Sequence, residues 1–231
     1  MRAPGLALLF ALALPGLAPA QIVSADYADP TNRYGHGALG DGGEYGQLRV
    51  ALGDGTEQRF DLPSDIVFED TAPRLADVTG DGETDVVVVE SLARQGARIA
   101  VYGADGRKAV SPAIGTRFRW LAISAIADFD GDGRVEIAAV DRPHLAKTLR
   151  FWRVEDGEIQ EVAWFPGVTN HRFGAAEIEG GLRDCGQTPE IILADARWQR
   201  ILAVSVANNI ITSDDRGPYT GPGSLEAAQR C

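Results

Sequence analysis

Asp77-Val78-Thr79-Gly80-Asp81-Gly82-Glu83-Thr84-Asp85 is the stretch on which the fold turns, because it returns 51 residues later. The second copy reads Asp128-Phe129-Asp130-Gly131-Asp132-Gly133-Arg134-Val135-Glu136. Each copy runs straight into an apolar, strand-like segment, Val86–Val89 and Ile137–Val140. Self-similarity at a fixed interval of this length is the mark of a repeated supersecondary unit. In both copies oxygen-bearing side chains stand at positions 1, 3, 5 and 9: Asp77, Thr79, Asp81 and Asp85, then Asp128, Asp130, Asp132 and Glu136. The carbonyl at position 7, of Glu83 or Arg134, completes the set. The glycines at positions 4 and 6 permit tight winding that turns alternate oxygens inward. An all-oxygen donor set suits Ca²⁺, which takes six to eight such ligands, so two sites are expected. An EF-hand needs a bidentate Glu at position 12 and a helix after it; Val88 and Ala139 stand there, in strand-like text. Zn²⁺ calls for His or Cys, absent from both loops, and Mg²⁺ keeps several waters and few protein ligands.

A second marker keeps the same interval. Asp54-Gly55, Asp105-Gly106 and Asp156-Gly157 are each 51 residues apart, and Asn208-Asn209 falls where a fourth copy belongs. Such dipeptides are tight-turn signals, since Gly and Asn accept positive φ. Apolar or alternating segments precede them at Leu48–Leu52, Ile99–Tyr102, Leu149–Val154 and Ile201–Val206. Two worn copies of the acidic loop are read at Tyr34-Gly35 with Gly40-Asp41-Gly42 and at Phe173-Gly174 with Gly180-Gly181. Long amphipathic helical periodicity is absent after the first twenty residues. The expectation is an all-β fold, a small β-propeller-like repeat domain of about four blades, with incomplete closure or an unseen fifth unit left open.

The chain resembles the FG-GAP/VCBS repeat proteins, whose blades resemble those of the integrin α-subunit propeller. The matching text is Ala76-Asp77 through Asp85-Val-Val-Val and Ala127-Asp128 through Glu136-Ile-Ala. Phe173-Gly174, and loosely Tyr34-Gly35, stand where that family has its Phe-Gly pair. The resemblance implies a β-propeller with Ca²⁺ in hairpin loops between the first two strands of a blade. Thr79 in place of an acidic or amide ligand, and Glu136 in place of Asp, depart from the pattern, and no metal is carried over to the first and fourth units.

The chain has 231 residues, 33 acidic against 22 basic, for a formal charge of −11. Arg2 and the apolar run Leu6–Leu14, followed by Ala18-Pro19-Ala20, form a secretory leader over residues 1–20, leaving 21–231 as the propeller-like domain. A surface this acidic disfavours nucleic acid and anionic lipid, and no membrane insertion is expected after cleavage. Cys185 and Cys231, the only two cysteines, allow one intrachain pairing, and a disulfide anchoring the tail is the expected use in an exported chain; free or intermolecular thiols are the alternative.

Catalytic patterns are missing. There is no Gly-x-Ser-x-Gly elbow, and His36, His144 and His171 lie in different units. His144 and His171 could face one pocket after closure of the repeats, but turn and loop packing is the reading preferred for them. Trp120, Trp152, Trp164 and Trp198 follow no single repeat position, which favours core packing over a carbohydrate-stacking face. Arg142–Lys147, the densest basic patch, reads as an exposed connection. The function expected is an exported, calcium-binding, non-catalytic module for binding, adhesion or scaffolding, in the periplasm or outside the cell, with an unidentified protein or glycan as its ligand. The alternative is a small carbohydrate-active enzyme or lectin, with its site on the face away from the calcium loops.

Overall fold

The computed structural model describes residues 21–231 apart from 208–209. The expected leader at 1–20 and the Asn208-Asn209 turn therefore lie outside the described residues. The chain runs as an antiparallel succession of short strands. The first unit holds β1 (Ile22–Pro30), β2 (Glu44–Leu52) and β3 (Glu57–Asp61). The second holds β4 (Ile66–Glu69), β5 (Arg74–Ala76), β6 (Asp85–Leu92), β7 (Gly96–Gly103) and β8 (Gly106–Val110). In the third are β9 (Leu121–Ala127), β10 (Glu136–Asp141), β11 (Thr148–Glu155) and β12 (Glu158–Pro166). The fourth comprises β13 (Val168–Thr169), β14 (Gly181–Arg183), β15 (Glu190–Asp195), β16 (Arg200–Ala207) and β17 (Ile210–Pro218), and α1 (Pro222–Gln229) follows. No helix among the described residues is long and apolar enough to cross a membrane.

The all-β, propeller-like expectation holds, but the four units form three sheets. β4 pairs with both β2 (Tyr45↔Phe68) and β6 (Phe68↔Glu90), which fuses the first two units into one eight-stranded sheet. The third and fourth units keep separate sheets of four and five strands. Among the described residues, none of the sheets closes on itself.

Sheets packed face to face explain why the central strands are apolar at nearly every position. On β6, Val86 and Val88 enter a core with Leu48, Val50 and Tyr102. Val87 and Val89 point the other way, to Ile99, Trp120, Ile123 and Ile137. On β10, Ile137 and Ala139 join that second core, while Ala138 and Val140 turn to Phe151, Val168 and Val204. The last face, Ile192 and Ala194 of β15, is covered by Leu225 of α1. The first face ends in polar side chains instead: Gln47 donates to Asp61 at 2.7 Å and Arg59 to Glu57 at 2.7 Å. Repeat stacks need such termini, because an apolar outer face would invite another chain. Cys185 and Cys231 form the expected disulfide, with Cα atoms 5.7 Å apart, and tie the end of the chain to the fourth sheet.

The two worn acidic loops are not acidic loops. Residues 34–42 join β1 to β2, and 173–180 lie between β13 and β14, at the end of the sheets opposite the Asp77 and Asp128 loops. They are instead neighbours in space, with the Gly174 amide donating to the Ala38 carbonyl at 2.8 Å. The counterpart of the acidic loop in the fourth unit is 184–189, between β14 and β15, and it carries Cys185. Of the tryptophans, Trp120 and Trp152 are core residues, whereas Trp164 is exposed on β12 and Trp198 packs edge-on against Tyr219.

Candidate metal centre in the acidic loops

Both loops wind identically, and their own carboxylates do the winding. The first Asp accepts the amide of position 4, Gly80 at 2.7 Å or Gly131 at 2.8 Å. Its other oxygen accepts the amide of position 6, Gly82 or Gly133, at 2.9 Å in each case. Position 5 accepts the amide of position 7 at 2.9 Å in both, Asp81 from Glu83 and Asp132 from Arg134. Position 9 reaches back to position 2, Asp85 to Val78 at 3.1 Å and Glu136 to Phe129 at 3.0 Å. The glycines supply the left-handed turns, with φ near 73° and 84° in the first loop and 77° and 87° in the second. These conformations are costly for any residue with a Cβ.

The loops differ in how their charge is met. In the second, carboxylate oxygens of Asp128, Asp130 and Glu136 lie within 4.8 Å of one another, the one such group of three found among the described residues. Oxygens on opposite sides of a Ca²⁺ ion are separated by about 4.6–5.2 Å, twice the usual bond length, so this trio fits one ion. Asp132 is drawn aside to Arg134 and Arg153, 3.1 Å from each. Arg153, opposite Glu136 in the β10–β11 register, spans Glu136, Asp130 and Asp132. Burial holds the Glu136 carboxyl above its usual range, against the pull of Arg153 and the Phe129 amide.

In the first loop the four expected ligands do not converge on an empty centre. Thr79 spends its hydroxyl on Asp85 at 2.9 Å. The Lys108 ammonium sits between Asp81 and the fully buried Asp85, at 2.9 and 2.8 Å. Burial opposes that charge, but the hydrogen bonds to Asp85 and Asp81 win, and the Lys108 pKa is pushed up to about 12. Asp81 is correspondingly held below the usual carboxylate range by Lys108 and the Glu83 amide.

Lys108 and Arg153 are the site residues that reading the sequence missed. They are not repeat equivalents: at the interval of 51, Lys108 corresponds to Ile159 and Arg153 to Tyr102. Periodicity therefore cannot reveal them. A strand register can, because Arg153 faces Glu136 directly and Lys108 follows the Asp105-Gly106 turn that brings β8 back past the loop.

No curated protein matches the chain. Residues 77–139 match the family model of the FG-GAP-like repeat. The matched span opens on the first Asp of the first loop and runs through the second loop into β10. With the two loops wound alike around that span, the chain carries an FG-GAP-like repeat across residues 77–139 of an all-β, propeller-like fold.

Proposed function

We propose that the chain is a non-catalytic binding module of the cell exterior or periplasm, with Ca²⁺ held structurally by its acidic loops. The observation that carries the calcium reading is the convergence of Asp128, Asp130 and Glu136 in a loop already wound by hydrogen bonds. Such winding leaves the ion little ordering cost. The second loop is the better site, since three of its carboxylates already lie within reach of one ion, while Thr79 and Asp85 of the first are engaged with each other; in either loop Ca²⁺ competes with a cation of the fold, Arg153 or Lys108. Bound Ca²⁺ would supply charge neutralisation; the residues themselves set the loop's shape. Calorimetric titration of Ca²⁺ into chelator-stripped protein tests this. The expected result is saturable binding whose tighter component Asp130→Asn weakens, leaving the first loop's contribution. Ca²⁺ at ten times its dissociation constant should add about 1.4 kcal/mol of stability per site. Absence of both heat and thermal shift would remove calcium from the account.

The binding reading draws on the FG-GAP-like repeat and on a separation of charge between the two ends of the sheets. The connections 31–43, 62–65, 93–95, 111–120, 142–147, 170–180 and 196–199 carry eight Arg and Lys against four Asp and Glu. At the other end, 53–56, 77–84, 104–105, 128–135, 156–157 and 184–189 carry one against ten. Four cations of the basic end, Arg33, Arg117, Arg119 and Lys147, donate to backbone carbonyls, so those bonds leave their charge uncancelled. Phe173 and Leu145 are exposed among them. This end suits an acidic protein or glycan ligand carrying some apolar surface.

A lectin or glycan-active reading has one observation of its own, a cleft of about 800 Å³ between β8 and β11–β12, lined by Arg107, Arg150, Trp152, Gln160 and Glu161. A panel of neutral and acidic glycans separates the readings. Capture without product supports a binder, and turnover that survives Asp130→Asn would establish an enzyme.

A further inference from the structure

The chain has only three histidines, 108 and then 27 residues apart, yet the fold gathers all three at the end opposite the acidic loops. Their rings belong to one continuous series. Trp120 lies 4.9 Å from His171, His171 5.2 Å from His144, His144 5.4 Å from Phe173, Phe173 5.9 Å from His36, and His36 5.3 Å from Phe118. The connections that carry them are pinned to their neighbours. Arg142 N donates to Trp120 O at 2.8 Å, Thr169 Oγ1 to Pro143 O at 2.8 Å, and Gly174 N to Ala38 O at 2.8 Å.

Hydrogen-bond partners assign the ring protons. His171 Nε2 faces the Ala175 carbonyl at 2.8 Å. A carbonyl only accepts, so Nε2 bears the hydrogen and Nδ1 is bare. That bare nitrogen lies 3.0 Å from His144 Nε2, which must therefore hold the one hydrogen between them. Two imidazole nitrogens thus converge on one point, and one ring is already oriented by a backbone acceptor on its far side. Metal-ligating histidines are held in this way.

We propose that His144 Nε2 and His171 Nδ1 form a chelating site for a divalent transition metal of the Zn²⁺, Ni²⁺ or Cu²⁺ class, separate from the acidic loops. Metal–nitrogen bonds of about 2.0–2.1 Å place two ligand nitrogens about 2.9 Å apart at a right angle and about 3.4 Å apart at the tetrahedral angle. The observed 3.0 Å lies between these values, so small ring rotations admit the ion. On binding, the His144 hydrogen moves from Nε2 to Nδ1, both ligands stay neutral, and water completes the coordination. Burial lowers the affinity of both rings for a proton, with His144 brought down to about 4, so both are neutral and ready as ligands at pH 7. Imidazole suits these metals, whereas Ca²⁺ prefers oxygen, so each ion has its own end of the molecule. His36 is oriented in a similar manner, Nδ1 to Glu69 at 2.7 Å, but the Phe173 ring packs against both His36 and His144, and His36 is left out of the chelate.

Titration of ZnCl₂ into the protein in saturating Ca²⁺ tests the site, with imidazole ¹H–¹⁵N spectra recorded alongside. The expected result is one Zn²⁺ per chain at micromolar affinity, with the His144 and His171 nitrogen resonances shifting together. Affinity should fall about tenfold or more in His144→Ala and stay within about twofold in His36→Gln. His144 is on a partly exposed connection, so its variant retains the fold, and its melting curve without metal checks this; His171→Gln is the second variant. Zn²⁺ binding that is absent, unchanged in folded His144→Ala, or lost in Asp130→Asn instead would overturn the proposal.

Discussion

At the scale of single residues, the acidic loops are completed by cations that come from elsewhere in the fold. Asp85 is fully buried, and Lys108 reaches it from β8. A buried carboxylate stripped of its partner costs about 1–3 kcal/mol or more. Lys108→Met should therefore lower the melting temperature in chelator, and Ca²⁺ should restore much of the loss by taking the vacated position; differential scanning calorimetry in both buffers reads the outcome. The pH sign follows from the same contact. The folded Lys108 pKa, about 12, exceeds the ordinary 10.5, so its stabilisation is complete below 10.5 and disappears as pH rises through 12. His144 behaves in the opposite sense. Its folded pKa, about 4, is below the ordinary 6.5, through burial and through the neighbouring His171, His36 and Lys147. Its contribution is present above pH 6.5 and is lost as pH falls from 6.5 towards 4. Stability measured by urea melts across that window should fall less steeply for His144→Gln than for the unaltered protein.

At the scale of elements, each turn type is legible where local chemistry demands it. The three Asp-Gly dipeptides of the turn marker all stand between paired strands: Asp54-Gly55 between β2 and β3, Asp105-Gly106 at the β7–β8 junction, Asp156-Gly157 between β11 and β12. The strands that precede them run β2, β7 and β11, as the apolar segments foretell. Gly96 shows what local text conceals. It opens β7 with φ of 73°, and a Cβ there would lie 2.2 Å from the Thr116 carbonyl oxygen and 2.8 Å from that of Arg119. Those are backbone atoms of the connection 111–120, which folds against the strand, with the Ala97 amide donating to Arg119 at 2.8 Å. Gly96→Ala should destabilise by about 2–4 kcal/mol, combining the left-handed conformation with the clash. Chemical denaturation measures this, and Gly82→Ala, with open space around its Cβ, serves as the comparison that isolates the conformational part.

For the whole molecule, the C-terminal segment is the seal of an open stack. α1 lays Leu225 on Ile192 and Ala194, and the disulfide fastens Cys231 to the connection that replaces an acidic loop in the fourth unit. The second and third units carry an acidic loop at this position, and the fourth carries a covalent link. Leu225→Ala should cost about 2–4 kcal/mol through the cavity it leaves. Cys231→Ser removes closure of a loop of 46 residues, worth about 4 kcal/mol in the chain-entropy account. Because α1 rests on the fourth sheet, the two losses should be less than additive, and a double-mutant cycle in guanidinium shows whether they are.

The repeat interval, the acidic loop and its winding, the turns and the all-β class were all determined by the sequence alone. Each depends on residues within nine positions of one another, or on the same pattern recurring at 51, so local stereochemistry suffices. The disulfide was legible for a simpler reason, that two cysteines allow one intrachain pairing. Tertiary structure decided what no interval encodes. It fused the first two units into one sheet, and it set the Tyr34 and Phe173 loops against each other rather than making them worn copies of the acidic loop. It supplied Lys108 and Arg153 from non-equivalent positions, and it brought histidines from three units to one end. The physical reason is shared by the last two: a cation need only arrive near the carboxylates, and a ring need only arrive near another ring. Many chain positions can meet that requirement, and only the packed sheets select which one does.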